Sequence, residues 1–338
     1  MTIEHPVLRL GLAGFSAREQ DEIRAAVPAV APGAMAWVVA ELGDADAWWV
    51  NGARLRMLDE ATVKVAAAEA TARSLRLRLP DIDRPVAFTL PLSCEGLQPA
   101  YSLDVASPGS MAAVLGKFED WLSPLAAQLC LASHIVEHQA ALGSGVFEVR
   151  LDGRLLAVVD MHGEAGVLPG AGPADFEDAE WRRRASGHMP EDLARASMSQ
   201  LMWQYSVRTQ RDLLPRHYRT GLLYFRRPPR LPNRLLRDSH LLLMRELACG
   251  PASFQALQRA TGLHPARLAQ DLAALYFVGT ITSNPKRAPL YQAPRADHVD
   301  SATAHSSLPS SLDCGLPRDE ARAPSRSDLT APAPMGRH

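Results

Sequence analysis

The sequence predicts a multi-domain chain that combines α/β and α+β classes, and three observations support this prediction. Short apolar segments alternate with helical ones in the first third, which is typical of a parallel sheet covered by helices. An Asp-Gly pair between two alternating segments predicts a β-hairpin further on. Three helical segments and a second short hairpin follow, before a stretch rich in Ser, Pro and Ala without periodicity. We expect an α/β domain at 1–122, a central α/β unit at 123–238, a third domain at 239–292 and a disordered tail at 293–338.

The composition excludes several classes of protein. Hydrophobic residues make up 47% of the 338 residues, which is enough to fill several cores. No apolar run reaches the roughly 18 residues of a membrane-spanning helix, and the N-terminus has no signal-peptide pattern. The scattered cysteines form no CxxC pair, so neither a zinc ribbon nor a disulfide framework is predicted. We expect a cytoplasmic protein with reduced thiols, no membrane partner and no cofactor. The cysteines are Cys94, Cys130, Cys249 and Cys314.

The first third predicts five strands and two helices. The apolar run at 8–15 predicts a buried strand. Ser16 and Glu19 have the spacing of a capping box, so a helix is expected from there to about Val27. The alanine-rich stretch 55–73 predicts a second helix. Apolar segments that predict the other strands lie at 34–40, 47–50, 85–90 and 100–105.

Residues 7–122 resemble a response-regulator receiver domain in the order and spacing of these segments. The segment AYSLDVASPGSMAAVLGKFEDWL at 100–122 is similar to the last strand and last helix of that family. The alternative is an unrelated small α/β domain with the same alternation of strands and helices.

The resemblance implies a domain that has lost the family's chemistry. The family binds Mg²⁺ through an acidic pair after the first strand, because a hard cation prefers carboxylate oxygens. Here residues 14–16 read Gly-Phe-Ser. Asn51 stands at the place of the phosphoacceptor aspartate, no lysine lies near Asp104, and only Thr89 matches the family's hydroxyl position. We therefore expect a pseudo-receiver without a phosphoacceptor.

Residues 110–142 predict two helices. Apolar residues from Met111 to Leu125 recur at the spacing of one helix face. Ser123 followed by Pro124 suits an N-cap and the first residue of a new helix, so a break is expected there. The second helix is expected to end at about Leu142.

The second of these helices contains the spacing HxxEH, formed by His134, Glu137 and His138. Zinc peptidases of the inverzincin type use this spacing for two metal ligands and a glutamate that activates water. A third ligand is not visible in the sequence, and histidines four residues apart also occur on ordinary solvated helix faces. We therefore predict no metal site here.

Two β-strands around Asp152-Gly153 are predicted at 146–160, because the apolar residues alternate and Asp-Gly favours a type I′ turn. The glycine-rich stretch 163–173 lacks the Lys and Ser/Thr of a P-loop, and it does not fit GxGxxG between a strand and a helix. A loop is expected there.

A belt of nine arginines with a single acid, Asp212, carries a local charge of +8. Arginine presents a planar fork of donors that binds phosphate well, so the belt suits nucleic acid, a phosphorylated small ligand or an acidic partner. The arginines are Arg208, Arg211, Arg216, Arg219, Arg226, Arg227, Arg230, Arg234 and Arg237.

Two further interpretations of the belt stay open. Arg226 and Arg230 in RRPPR resemble the RxxxR that opens cyclic-dinucleotide sites of the PilZ type, but the second half of that motif is missing. The belt is equally consistent with a solvated linker, or with arginines neutralised by acids elsewhere. The acids considered are Asp175, Glu177, Asp178 and Glu180.

Residues 239–292 resemble a winged helix-turn-helix domain in the order of their segments. Ser253 is the expected N-cap of a short second helix that ends at Gly262, and a third helix runs from His264-Pro265 to Gly279. Segments 280–282 and 290–291 predict the hairpin.

The resemblance implies that the third helix enters the major groove of DNA. Only Arg267 and Gln270 offer side chains for reading bases, while Lys286 and Arg287 at the hairpin tip suit phosphate contacts. The predicted alanine-rich outer face of this helix fits a protein contact equally well.

Together these observations predict a non-catalytic regulatory adaptor in signal transduction that binds a protein partner or an anionic ligand. One alternative is a DNA-binding transcription regulator that uses the winged helix and the belt, and another is a zinc hydrolase that uses HxxEH. No catalytic or metal-ligating residue is predicted. The predicted anion- or nucleic-acid-binding residues are Arg226, Arg227, Arg230, Arg234, Arg267, Lys286 and Arg287.

Overall fold

A computed structural model describes residues 3–31, 33, 35–69, 74–94, 96–139, 141–185, 188–232 and 235–288. The chain divides into two compact units: unit 1 extends to Arg211, and unit 2 begins at Asp212. The predicted tail at 293–338 and the predicted strand at 290–291 lie outside the described residues. Within the described ranges, no helix is both long enough and apolar enough to cross a membrane.

Unit 1 is a mixed α/β structure with one parallel sheet and two antiparallel sheets. Its strands are β1 (Val7–Ala13), β2 (Ala36–Ala40), β3 (Ala47–Val50), β4 (Leu55–Met57), β5 (Thr62–Val65), β6 (Leu75–Arg78), β7 (Val86–Thr89), β8 (Tyr101–Leu103), β9 (Val146–Leu151), β10 (Arg154–Asp160), β11 (Glu164–Val167), β12 (Glu180–Arg184) and β13 (Ala194–Ser197). Its helices are α1 (Ala17–Val30), α2 (Pro108–His138), α3 (Pro173–Glu177) and α4 (Met198–Ser206).

The parallel sheet has the strand order β2-β1-β3-β7-β8, and all four pairings are parallel. All five predicted strands of the first third are therefore confirmed. Helix α1 begins with the predicted capping box, in which Glu19 N donates to Ser16 Oγ and Ser16 N donates to Glu19 Oε2 at 2.7 Å. Helices α1 and α2 pack against one face of the sheet, where Trp37, Trp49 and Phe118 are fully buried.

A small antiparallel sheet, β4-β5-β6, packs against the opposite face. The predicted helix at 55–73 is therefore wrong over 55–65, while residues 70–73 lie outside the described residues. Val63 and Val65 are buried against the parallel sheet, and Lys64 between them is partly exposed. A period of two buries one face of a strand, whereas the alanines nearby favour a helix only through weak intrinsic propensity.

Helix α2 runs unbroken through Pro124, so the predicted break at 123–124 is wrong. A proline inside a helix removes one hydrogen bond and costs about 3 kcal/mol. Burial of a single large apolar side chain stabilises by about 1.5–3 kcal/mol. Because Phe118 and Leu122 are buried before the proline, and Leu129 and Leu131 after it, packing on both sides outweighs that cost.

The antiparallel sheet has the strand order β12-β9-β10-β11-β13. The predicted hairpin at 146–160 is confirmed, and both turn residues adopt positive φ, +49° at Asp152 and +83° at Gly153, as a type I′ turn requires. The predicted loop at 163–173 is wrong in part, because it contains β11. Gly166 is needed in that strand, since a Cβ there would lie 2.7 Å from Met189 Sδ.

Unit 2 combines helices with a small antiparallel sheet of order β15-β14-β16. Ser253 Oγ accepts from Ala256 N at 3.2 Å, and Gly262 ends its helix with φ at +68°, as predicted. Nothing in the arginine-rich stretch predicts β14, because prolines and arginines surround it. The elements are α5 (His217–Thr220), β14 (Leu222–Phe225), α6 (Asp238–Cys249), β15 (Ala252–Ser253), α7 (Phe254–Thr261), α8 (Pro265–Phe277) and β16 (Ile281–Thr282).

Candidate anion-binding site

The arginine belt is divided between the two units. In unit 1, Arg208 forms an ion pair with buried Asp46, and Arg211 forms one with Glu137 and lies 3.7 Å from Glu4. These two arginines are therefore neutralised, although not by the acids at 175–180. They hold the end of unit 1 to its own core, and they do not contribute a free positive surface.

Unit 2 is strongly basic. Residues 212–288 contain twelve Lys and Arg against four Asp and Glu, a formal charge of +8, whereas residues 1–211 carry −8. The chain's net charge of −1 therefore conceals a separation of charge along the sequence. A surface of this kind attracts anions over roughly a Debye length, about 10 Å in ordinary buffer.

Three of the four acids in unit 2 already pair with arginines of the same unit. The pairs are Arg219–Asp212 at 2.6 Å, Arg245–Glu246 at 2.8 Å and Arg267–Asp271 at 3.1 Å. Seven basic side chains form no ion pair with any described residue, and they are Arg216, Arg226, Arg227, Arg230, Arg259, Lys286 and Arg287. The excess positive charge is therefore concentrated in side chains that are not committed to an internal partner.

Two of the unpaired arginines, Arg226 and Arg227, lie beside the C-terminal end of α8. Arg226 N donates to Thr280 O at 2.8 Å, which extends the β14–β16 ladder by one residue. A Cβ placed on Gly279 would lie 3.4 Å from Arg227 Nη2 and 3.5 Å from Arg226 Nη1, so both guanidinium groups approach this glycine. Gly279 has φ at +68°, a conformation that glycine adopts without strain.

The positive charges of Arg226 and Arg230 influence the pKa of Arg227. Burial is the largest influence that lowers the pKa of Arg227, and the positive charges of Arg226 and Arg230 lower it further. Arg227 Nε is buried without a hydrogen-bond partner among the described residues, and so is Thr280 Oγ1. A bound anion would relieve the repulsion between the guanidinium groups and satisfy some of these donors.

The remaining predicted site residues have different surroundings. Lys286 and Arg287 are exposed in a short turn at 285–287 that follows β16. Arg267 is committed to buried Asp271. Arg234 lies outside the described residues. The structure therefore brings Arg226, Arg227 and Arg230 together. Arg267 differs from them because its charge is paired with Asp271.

Helix α8 does not have the exposed outer face that the sequence suggests. Ala269, Ala273 and Ala274 are buried, which corrects the predicted alanine-rich contact face. From residue 268 to 282, every residue except the partly exposed Gln270 is buried. A helix that reads bases must place several polar side chains in the major groove, and from residue 268 onward α8 offers only Gln270.

The HxxEH residues on α2 are engaged with the protein itself. His134 is buried against Trp181, and Glu137 is paired with Arg211. His138 Nδ1 lies 3.0 Å from His134 O, which fits an Nδ1–H that donates to this carbonyl. Among the described residues, no three His, Cys, Asp or Glu side chains are close enough to form a metal site. A zinc hydrolase would need ligands that these residues do not supply.

Receiver domains bind Mg²⁺ and the phosphoryl group at the carboxyl ends of their first and third strands. In this chain, protein groups occupy the corresponding position at the ends of β1 and β3. Asn51 Oδ1 accepts from Ala53 N at 3.1 Å, and Thr89 Oγ1 accepts from Gly52 N at 2.9 Å. A Cβ on Gly14 would lie 2.7 Å from Val65 Cγ1, so the small sheet covers the place of the acidic pair. Asn51 and Thr89 thus stabilise turns here.

Comparison with family models, with curated proteins and with solved structures finds no match for this chain.

Proposed function

We propose that the protein is a non-catalytic regulatory protein whose unit 2 binds the phosphate backbone of nucleic acid without reading its sequence. The observation that carries the proposal is the cluster of Arg226, Arg227 and Arg230, which form no ion pair with any described residue. Phosphate contacts fix a protein on nucleic acid and carry no direct sequence information.

The rest of the chain is consistent with a regulatory role. The order β2-β1-β3-β7-β8 corresponds to the 2-1-3-4-5 order of flavodoxin-like sheets, which supports the resemblance to a receiver. The same region has Asn51 in place of an acceptor aspartate. We therefore propose that unit 1 contains a pseudo-receiver that acts through its surface.

The three helices α6, α7 and α8 followed by β16 support a winged-helix-like arrangement in unit 2. It differs from the expected domain because β14, from before the helices, occupies the centre of the sheet. With α8 buried, this module would contact nucleic acid through β14 and the arginines that follow it. A sequence-specific transcription regulator is the less favoured alternative for this reason.

The proposal is tested by fluorescence anisotropy with two labelled duplexes of unrelated sequence, measured from low to moderate salt. The two duplexes should bind within about twofold of each other, and log K should fall with log salt by about 0.9 per phosphate contacted. Changing Arg226, Arg227 and Arg230 together to alanine should flatten this slope by up to about three units.

The matched control removes the same charge elsewhere. Arg18, Arg78 and Arg182 are exposed in unit 1, so the triple alanine variant of these residues has the same net charge. It should keep the wild-type slope. Absence of binding at low salt, or equal loss in both triple variants, would show that the cluster is not a nucleic-acid site.

A further inference from the structure

Strand β14 is partly open to solvent, since Leu223 is the one buried residue among its four. Leu223 is fully buried, whereas Leu222 is 50% exposed. Because side chains alternate along a strand, Leu222, Tyr224 and Arg226 lie on the same side. Tyr224 is partly exposed, and the backbone pairing of Arg226 with Thr280 keeps the chain extended to that point. The outer side of β14 therefore presents an apolar side chain, an aromatic ring and a guanidinium group in a row.

This row continues into the arginine cluster. Arg227 and Arg230 follow on the chain, and Arg226 and Arg230 are close enough to Arg227 to lower its pKa. No described acid pairs with any of the three. An aromatic ring beside unpaired guanidinium groups is the combination by which proteins bind single strands, through base stacking and backbone contacts.

A duplex is a poorer match for the same surface. Its bases are stacked and hidden, and they are accessible only to an element that enters a groove. Helix α8 is buried from Leu268 onward, apart from Gln270. A partly exposed aromatic ring cannot stack on a base that is already stacked on both faces in a duplex, but it can stack on an unpaired base.

We infer that the nucleic acid bound by unit 2 is single-stranded, with at least one base stacked on Tyr224 and its phosphates on Arg226, Arg227 and Arg230. This inference rests on the proposed function and adds the class of nucleic acid to it. Sequence preference should be weak, because every base has a π-face.

The test compares a labelled twelve-nucleotide single strand with the twelve-base-pair duplex of the same sequence, using the full chain and anisotropy at fixed salt. The single strand should bind at least about fivefold more tightly. Tyr224→Ala and Tyr224→Leu should each weaken single-strand binding by about fivefold or more, and they should leave duplex binding unchanged. Tyr224→Leu keeps most of the apolar bulk, so it separates lost stacking from lost packing. Trp121→Ala is the control, because Trp121 is an aromatic residue of unit 1 with 50% exposure.

The possible failures are distinguishable. Equal affinity for both forms, or equal loss of both in the Tyr224 variants, would overturn this inference and leave the proposed function standing. Binding of neither form at low salt would overturn both. Circular dichroism of each Tyr224 variant identifies any variant that fails to fold. If neither variant folds, the affinities of the wild-type protein for the single strand and for the duplex test the inference by themselves.

Discussion

His134 stacks on Trp181, with ring centroids 5.2 Å apart and ring planes within 10° of parallel. His134 is 1% exposed, and neither of its ring nitrogens has a hydrogen-bond partner among the described residues. Burial lowers the pKa of His134 to about 4, with a further contribution from His138. The imidazole is therefore neutral at physiological pH and acts as an aromatic core residue.

The first prediction is that His134 makes unit 1 sensitive to acid. In the unfolded chain, the imidazole takes up a proton below its ordinary pKa of about 6.5, while in the folded chain it stays neutral until about pH 4. Stability should therefore fall as the pH drops from about 6.5 to about 4, by at most about 3 kcal/mol. Urea unfolding at several pH values measures this.

His134→Phe keeps an aromatic ring and removes the titrating group, so its stability should depend less on pH over that range. The control is His162→Gln, because His162 is exposed. If His134→Phe and the wild type lose stability in parallel between pH 6.5 and 4, the buried histidine is not the cause.

The second prediction concerns Glu4, which ties the N-terminus to the end of unit 1. Its carboxylate accepts from Tyr205 Oη at 2.7 Å, from Gln210 N at 3.1 Å and from Thr209 Oγ1. A hydrogen bond to a charged group contributes about 1.5–3 kcal/mol, and the contributions of bonds that share one carboxylate do not add in full. Glu4→Ala should therefore lower the free energy of unfolding by about 2–3 kcal/mol, measured in urea.

Glu22→Ala is the matched control, since Glu22 is exposed and only pairs with Arg18 one helical turn away. It should change stability by less than about 0.5 kcal/mol. Equal effects of the two substitutions would mean that the network around Glu4 contributes no more than a surface ion pair.

The elements that the sequence predicts correctly are those with strong local signals. The capping box of Ser16 and Glu19 and the Asp152-Gly153 turn each depend on a few neighbouring residues, and both are present. Predictions failed where distant packing decides. The helix expected at 55–73 and the break expected at Pro124 were both overruled by side chains buried against other elements.

The sequence predicts the positive charge of the candidate site, but it does not predict which side chains form the site. A count of charges identifies the arginines, but Arg208 and Arg211 are neutralised by Asp46 and Glu137, which are far away in sequence. Tyr224 is not among the predicted binding residues, because the prolines around it conceal a strand that pairs with β15 and β16. Only the folded structure shows which arginines lack an ion-pair partner.

The third prediction is that residues 1–122 accept no phosphoryl group, even in the variant Asn51→Asp. That variant restores a carboxylate, but residues 14–16 supply no acidic pair for Mg²⁺, and Val65 covers their position. Acetyl phosphate and Mg²⁺ should add no phosphate to the wild type or to the variant, as measured by intact mass. Stable incorporation at position 51 would show that unit 1 retains receiver chemistry.

The fourth prediction concerns the buried acid of unit 2. Asp271 is fully buried, with His240 Nε2 at 3.1 Å and Arg267 Nε at 3.1 Å. Burial alone would raise the pKa of Asp271, but contacts with His240, Ser239 and Arg267 together hold it below its usual value. The carboxylate therefore stays charged inside unit 2 and joins α6 to α8.

Removing one partner of a buried charged pair costs about 3–5 kcal/mol, because the other partner stays desolvated. Asp271→Asn should accordingly lower the unfolding free energy of unit 2 by about 3 kcal/mol in urea. Arg245→Ala breaks a pair whose arginine side chain is 69% exposed, so it should cost no more than about 0.5 kcal/mol. The stability that Asp271 contributes is present above its unfolded pKa of about 3.9 and is lost as the pH falls through its lower folded pKa. If Asp271→Asn is as stable as the wild type at pH 7, this contact does not hold α6 and α8 together.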